Sequence, residues 1–257
     1  MIGKVYLVGA GPGDPELLTR KAYRLLREAH VVLHDELVSD EILALAPIDA
    51  QIVNVGKRCG GKHVSQERTN ALMVAYASEG AAVVRLKGGD PMIFGRAGEE
   101  MDALRDAGIP FEVVPGITAA LGAAAAAGVA LTDRRSSSSV TFLTGHNCAA
   151  HEVSAGPALA PATGQSTLVL YMPGRDYSAV AASLATRGWA GDTPCLLVSR
   201  VSHEDQQIVR TTLAALPDAP AIPAPSILIL GAVAAHHDHA DFGRELETVP
   251  AGQPEGL

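Results

Sequence analysis

The sequence predicts an α/β fold built in two parts, and three observations carry that expectation. Through the first half, short apolar runs alternate with helix-like stretches and little chain is spent between them. From Thr132 to Ser139 the composition shifts, as Asp-Arg-Arg leads into four serines. Beyond that point strand candidates outnumber helices, which reads as a mixed-sheet α/β unit. The 257 residues suffice for one large or two modest domains, and an apolar fraction of 47% fills a core without disulfide or metal staples.

Lys4 to Val8 reads as the first strand. Asp14 then caps a helix starting at Pro15, where a missing N–H costs nothing. Leu18, Ala22, Leu25, Leu26 and Ala29 give that helix one apolar face. Val31 to Leu33 is the second strand, and Ser39 caps a short helix through Leu45. Gln51 to Val55 is the third strand, and Ser65 caps a helix that carries Leu72, Met73 and Tyr76 and ends near Gly80. Ala81 to Leu86, rich in valine, is a buried strand. Ala97, Met101 and Leu104 share a face of the next helix, which Gly108 and Pro110 stop. Phe111 to Val114 and the alanine-rich helix after Pro115-Gly116 complete the first half.

The serine run reads as a solvated linker. After it the strands are Val140 to Leu143, Thr167 to Tyr171, Cys195 to Val198, Gln207 to Thr211 and Ile227 to Leu230, with one good helix at Ser178 to Thr186. The domains are therefore expected at residues 1–132 and 133–242. The polar tail, 243–257, is expected to be disordered.

A net charge of −8 argues against nucleic acid and against an acidic membrane surface as partners. It leaves room for an anionic substrate wherever basic side chains cluster. Cys59, Cys148 and Cys195 are odd in number and far apart, with neither metal spacing nor a disulfide framework. No signal-like pattern follows Met1, and the longest alanine-rich stretch is too short to span a bilayer. The expectation is a cytoplasmic protein with no membrane or nucleic-acid partner.

Chemistry concentrates in three loops. Leu86-Lys87-Gly88-Gly89-Asp90-Pro91, followed by Met92 to Arg96, sits where a strand ends and a helix is about to begin. In an open α/β sheet that edge binds small ligands, and glycines let backbone groups approach them. Asp90 is placed to accept hydrogen bonds from a ribose or an amine. The plainer reading is a tight turn whose acid caps the next helix. Gly9-Ala10-Gly11-Pro12-Gly13-Asp14 resembles a dinucleotide turn, with Asp35 where a ribose-binding acid would stand. However, Asp14 takes the place of the third glycine, and an acid at a helix N-terminus repels a pyrophosphate.

Gly56 to His63 is a near miss to a phosphate loop, because His63 stands where Ser or Thr must bind magnesium. What remains is a basic loop of Lys57, Arg58, Lys62 and His63, either solvated or lining a polyanion site. Arg134 and Arg135 are placed to meet carboxylates from the other side. His236-His237-Asp238-His239 has no closing ligand set, so no metal is expected.

Taken together and in order, Val8 to Leu18, Val55 to Gly61, Val84 to Glu100, Val113 to Ala119 and Ser138 to His146 resemble the tetrapyrrole methylases. The resemblance runs from Gly3 to about Val233 and implies two α/β domains with the active site in the cleft between them. The form implied is the stand-alone one, without a dehydrogenase-chelatase region. The cofactor implied is S-adenosyl-L-methionine, leaving S-adenosyl-L-homocysteine, in a homodimer. Carried over by position, Pro12, Gly88, Gly89, Asp90, Ile93, Thr118, Ala119, Met172 and Val201 hold the cofactor. Asp35 matches a proton acceptor and Lys57 a proton donor, and a substrate rich in carboxylates gives Arg58, Lys62, His63, Arg134 and Arg135, read above from their charge, a reason to face it.

The reaction implied is C-methylation of uroporphyrinogen III at two ring carbons to give precorrin-2, on the route to sirohaem and cobalamin. His34-Asp35-Glu36 stands where the family often has Tyr-Asp-Arg, and Asp133 replaces a common histidine. Both departures fall on the acceptor side. The alternatives are a methylase of a later precorrin, a nicotinamide-dependent oxidoreductase using Gly9 to Asp14 with Asp35, and a silent binding module that keeps the cofactor pocket.

Overall fold

The structure, a computed structural model, describes residues 2–56, 64–145 and 166–235. The expected tail and the histidine cluster after Ala235 lie outside the described residues. The chain forms two five-stranded sheets. The first holds β1 (Lys4–Gly9), β2 (Val31–His34), β3 (Gln51–Asn54), β4 (Ala82–Lys87) and β5 (Phe111–Val114), in the order β3-β2-β4-β1-β5. Every pair in it is parallel. Such a sheet must be covered on both faces, which explains why its strands are almost continuously apolar.

Helices α1 (Arg20–Arg27) and α2 (Asp40–Leu43) cover one face with Ala22, Leu25, Leu26 and Ile42, against Val8, Val32, Val84 and Leu86. Helices α3 (Gln66–Ser78) and α4 (Ala97–Asp106) cover the other, with Met73, Ala77 and Leu104 against Val5, Leu7, Leu33 and Val83. The second sheet holds β6 (Ser139–Thr144), β7 (Ser166–Tyr171), β8 (Pro194–Ser199), β9 (Gln207–Thr212) and β10 (Ser226–Leu230), in the order β6-β7-β10-β8-β9. It is mixed, as its strand-rich sequence predicts: β6 and β7 are parallel and the other pairs antiparallel. Helix α6 (Tyr177–Thr186) packs one face through Val180, Ala181 and Leu184. The opposite face is covered by α5 (Ala119–Ala126), the helix that directly follows β5. Its small alanines let the helix lie close to Val169, Leu196, Val198 and Ile229.

Two local expectations need correction. The stretch read as one helix from Pro15 is broken. A 3-10 turn, Pro15–Leu17, is capped by Asp14, whose Oδ1 accepts the Glu16 N–H at 2.8 Å. Leu18 and Thr19 are then extended, and the Thr19 hydroxyl accepts the Ala22 N–H at 3.1 Å to start α1. Two capping side chains compete for one helix, and the second starts a new one. The serine run is also more than a solvated linker: Ser137 is buried, and its hydroxyl meets Thr167 Oγ1 at 2.7 Å. A buried hydroxyl requires such a partner.

At the C-terminal edge of the first sheet the loops after β1, β4 and β5 touch through backbone. A Cβ added to Gly116 would stand 2.3 Å from the Gly89 carbonyl oxygen and 2.8 Å from Gly9 Cα. Gly116→Ala is therefore expected to cost ~2 kcal/mol or more in urea unfolding, because only backbone can yield. Gly98→Ala on α4, where a Cβ meets nothing within 4 Å, is expected to be neutral or to stabilise by ~0.5–1 kcal/mol. Equal effects at the two positions would contradict the tight edge.

Candidate active site

In the first sheet the connection from β1 runs over the α1 face and that from β4 over the α4 face. These adjacent strands therefore open a crevice at their carboxyl ends, the position where α/β sheets bind ligands. Its floor is backbone. The Gly11 N–H reaches the Gly89 carbonyl at 3.1 Å, and the Gly89 N–H returns to the Gly11 carbonyl at 2.7 Å. Gly89 has φ +68°, so only glycine sits there without strain. Asp90 holds the floor to the next loop. Its Oδ1 accepts the Met92 N–H at 2.7 Å and its Oδ2 the Gly116 N–H at 2.9 Å. The acid read from sequence as a ligand acceptor thus already organises two loops, and each oxygen has one lone pair left for a ligand.

The second sheet supplies the opposite wall, through Tyr171 ending β7 and Met172 after it, Val201 and His203 after β8, and Pro225 to Ile227 entering β10. Helix α5 joins the two walls. The phenol of Tyr171 meets Thr118 Oγ1 at 2.6 Å and accepts the Ala120 N–H at 3.3 Å. A tyrosine from the other sheet therefore caps α5, whose own N-cap Thr118 makes no side-chain cap bond. The Tyr171 ring packs on Phe94 at 4.9 Å and Phe142 at 5.7 Å between centroids, and burial pushes its phenol above the ordinary tyrosine range. A Cβ on Gly122 would meet Val201 Cγ1 at 2.9 Å and Pro12 Cγ at 3.0 Å, so this glycine lets α5 pass between the walls.

Pro12, Gly88, Gly89, Asp90, Ile93, Thr118, Ala119, Met172 and Val201 all line this one cleft, from five separate chain segments. Sequence reasoning missed Leu37, Phe94, Tyr171 and His203. Phe94 and Tyr171 lay inside or beside quoted motifs. His203 carries no motif; its ring lies against Gly13, where a Cβ would fall 2.8 Å from Nε2. Among the described residues the non-glycine positions with positive φ are Phe94, Arg96, Met172, Arg200 and Ser202. Each lines the cleft or lies within two residues of a lining residue. Strain of ~1–3 kcal/mol per residue that gathers in one place marks a functional site.

Asp35 follows β2, two residues before the cleft-lining Leu37 and not itself in the lining, and its carboxylate is bonded by the buried Arg85. Lys57, Arg58, Lys62 and His63 lie outside the described residues. Arg135 pairs bidentately with Asp133, at 3.0 and 2.7 Å, and neither it nor Arg134 lines the cleft. The first turn lacks what a dinucleotide needs. Its glycines lead into a 3-10 turn capped by Asp14, and α1 begins only at Arg20. No helix N-terminus faces a pyrophosphate there. No group of three or more His, Cys, Asp or Glu able to hold a metal occurs among the described residues.

Tyr171→Phe removes the hydroxyl that binds Thr118 and Ala120 but keeps the ring. It is expected to cost ~1–2 kcal/mol in chemical denaturation; unchanged stability would mean the cap contributes nothing.

Comparison with known proteins agrees with this geometry. The tetrapyrrole (corrin/porphyrin) methylase family profile matches residues 4–217. The siroheme synthase of Photorhabdus laumondii is 48% identical over 245 residues, covering 95% of this chain and 52% of that protein. The chain thus spans about half the length of the curated relatives it matches. The uroporphyrin-III C-methyltransferase of Thermus thermophilus, solved in complex with S-adenosylhomocysteine, is 42% identical with a TM-score of 0.76, over 90% of this chain and 98% of that one. A cobalt precorrin-4 methyltransferase from cobalamin biosynthesis is 31% identical with a TM-score of 0.79, over 91% and 96% of the two chains. With the profile covering most of its length and two sheets enclosing one glycine-floored cleft, the chain belongs to the tetrapyrrole methylases.

Proposed function

We propose that the chain methylates uroporphyrinogen III at two ring carbons, using S-adenosyl-L-methionine, to give precorrin-2 for sirohaem and cobalamin. The observation that carries this reading is the meeting of nine family-matched residues from five segments in one cleft. The cleft suits the cofactor on its own terms. Its floor at Gly88 and Gly89 offers bare backbone, and a Cβ on Gly89 would point at Thr118 Cα and Ala119 N, 3.7 and 3.6 Å away. Ile93, Met172 and Val201 supply apolar contact, and Asp90 a polar one.

When bound, S-adenosyl-L-methionine supplies an activated sulfonium methyl, so the chain mainly has to hold a pyrrole carbon in line with it. A macrocycle methylated on carbon must then shed a proton or shift its double bonds. Asp35 accepts that proton and Lys57 donates one. Arg58, Lys62, His63, Arg134 and Arg135 meet the carboxylates of the macrocycle, which explains a basic loop on an acidic chain. The same reading places the enzyme as a homodimer in the cytoplasm, in keeping with its few, scattered cysteines. No helix among the described residues is long and apolar enough to cross a membrane.

A later precorrin as acceptor is the second reading. It is favoured by Glu36, an acid beside Asp35 whose Oε2 accepts from Asn54 Nδ2 at 2.8 Å.

Incubation with uroporphyrinogen III and methyl-labelled cofactor is expected to yield a product whose mass carries two labelled methyls. No transfer while S-adenosylhomocysteine still binds would point to a later precorrin or a silent module. Tight binding of NAD alone would overturn the reading. Asp35→Ala is expected to lower kcat by about 10²-fold and leave the Kd for S-adenosylhomocysteine within about twofold. A parallel loss of both would make Asp35 structural.

A further inference from the structure

Beneath Asp35 lies a set of buried charges that the reaction does not use directly. Arg85 and Lys87 are two residues apart on β4 and so point to the same face of the sheet. Both are buried, and so is Glu100, which reaches them from α4. Glu100 Oε1 accepts from Arg85 Nε at 3.0 Å, from Lys87 Nζ at 2.9 Å and from Gln66 Nε2 at 3.2 Å. Its Oε2 has no partner among the described residues. Arg85 makes four hydrogen bonds through all three of its nitrogens. Nη1 donates to the carbonyls of Leu33 and Leu86, both at 3.3 Å, and Nη2 to Asp35. Of the four charged groups only Asp35 is open to solvent, its side chain 31% exposed against 0% for Glu100 and 4% for Arg85.

Stability alone does not account for this cluster. Buried ion pairs are often matched or bettered by apolar side chains of similar volume, and among the described residues Glu100 Oε2 finds no partner. One step earlier on the same face of β4, Val83 is an ordinary core residue. What the charges achieve is directional. A guanidinium held at Nε by Glu100 and at Nη1 by two carbonyls has one remaining edge, and that edge fixes the Asp35 carboxylate. Lys87 holds Glu100 from the strand end that continues into Gly88, so the acid on the acceptor side and the cofactor loop share one anchor. Burial, with Arg85 adding to it, pulls the Lys87 ammonium below its ordinary range, and Glu100 opposes that loss.

We infer that Arg85 is a positioning residue, locked by Glu100 and Lys87, that aims the Asp35 carboxylate at the macrocycle. The inference rests on the proposed role of Asp35 as proton acceptor. It is tested by a double-mutant cycle in the full chain. Arg85→Lys keeps the charge near Glu100 but loses the fork that reaches Asp35. It is expected to lower kcat about tenfold or more, with KM and the Kd for S-adenosylhomocysteine within about twofold. In an Asp35→Asn background the same change is expected to cost nothing further. Glu100→Gln, an isostere, provides a second reading of the same cycle should Arg85→Lys fold poorly, with the same non-additive pattern expected. Equal losses in both backgrounds, or wild-type kcat in the single variant, overturn the positioning role while Asp35 keeps its own. Wild-type kcat in Asp35→Asn alone overturns both.

Discussion

Three loops leave the first sheet after β1, β4 and β5 and meet through glycine backbone, with the Asp90 carboxylate joining the last two. Gly9, Gly11, Gly89 and Gly116 stand at the points of contact. The reciprocal Gly11–Gly89 pair is an antiparallel bridge just past the end of the parallel β1–β4 ladder. Asp90 then ties the β4 loop to the β5 loop through the Gly116 N–H. Because glycine backbone forms most of this floor, a ligand can rest on amides and carbonyls that a Cβ would shield. The floor also sets the position of Thr118, and hence the direction in which α5 leaves the first sheet.

That direction decides how the halves meet. Helix α5 grows from the first sheet but packs its alanines on the second, so the cleft has a wall it cannot drift from. Tyr171 and Gly122 serve the same junction by opposite means. Tyr171 reaches across to cap the helix, and Gly122 removes a side chain so that Pro12 and Val201 can close on it. Strained backbone at Phe94, Met172, Arg200 and Ser202 is the cost of aiming side chains into this space from strand ends that would otherwise diverge.

Much of this was legible in the sequence because it is local. The strand runs, the caps Ser39 and Ser65, and the glycine turns each announce themselves within a few residues, and the structure has them close to where they were read. The α/β first half and the mixed second sheet follow from how helices alternate with strands. What was illegible depends on partners distant in the chain. Asp90 read as a ligand acceptor, since nothing nearby disclosed that Gly116, 26 residues on, would claim one of its oxygens. Arg85 read as part of a valine-rich strand, and Glu100 entered only as the end of a matching segment. Their burial together appears only when α4 folds back over β4. His203 follows no periodicity at all, and enters the cleft because the turn after β8 reverses at two residues of positive φ.

The central claim is that the loops of the two sheets form a single cofactor site. Amide hydrogen exchange with and without saturating S-adenosylhomocysteine tests it most directly. The account predicts slowed exchange at residues 11–13, 88–93, 118–120, 171–173 and 201–203 together, at one ligand concentration. Protection confined to the loops of one sheet, or none at saturation, would contradict it.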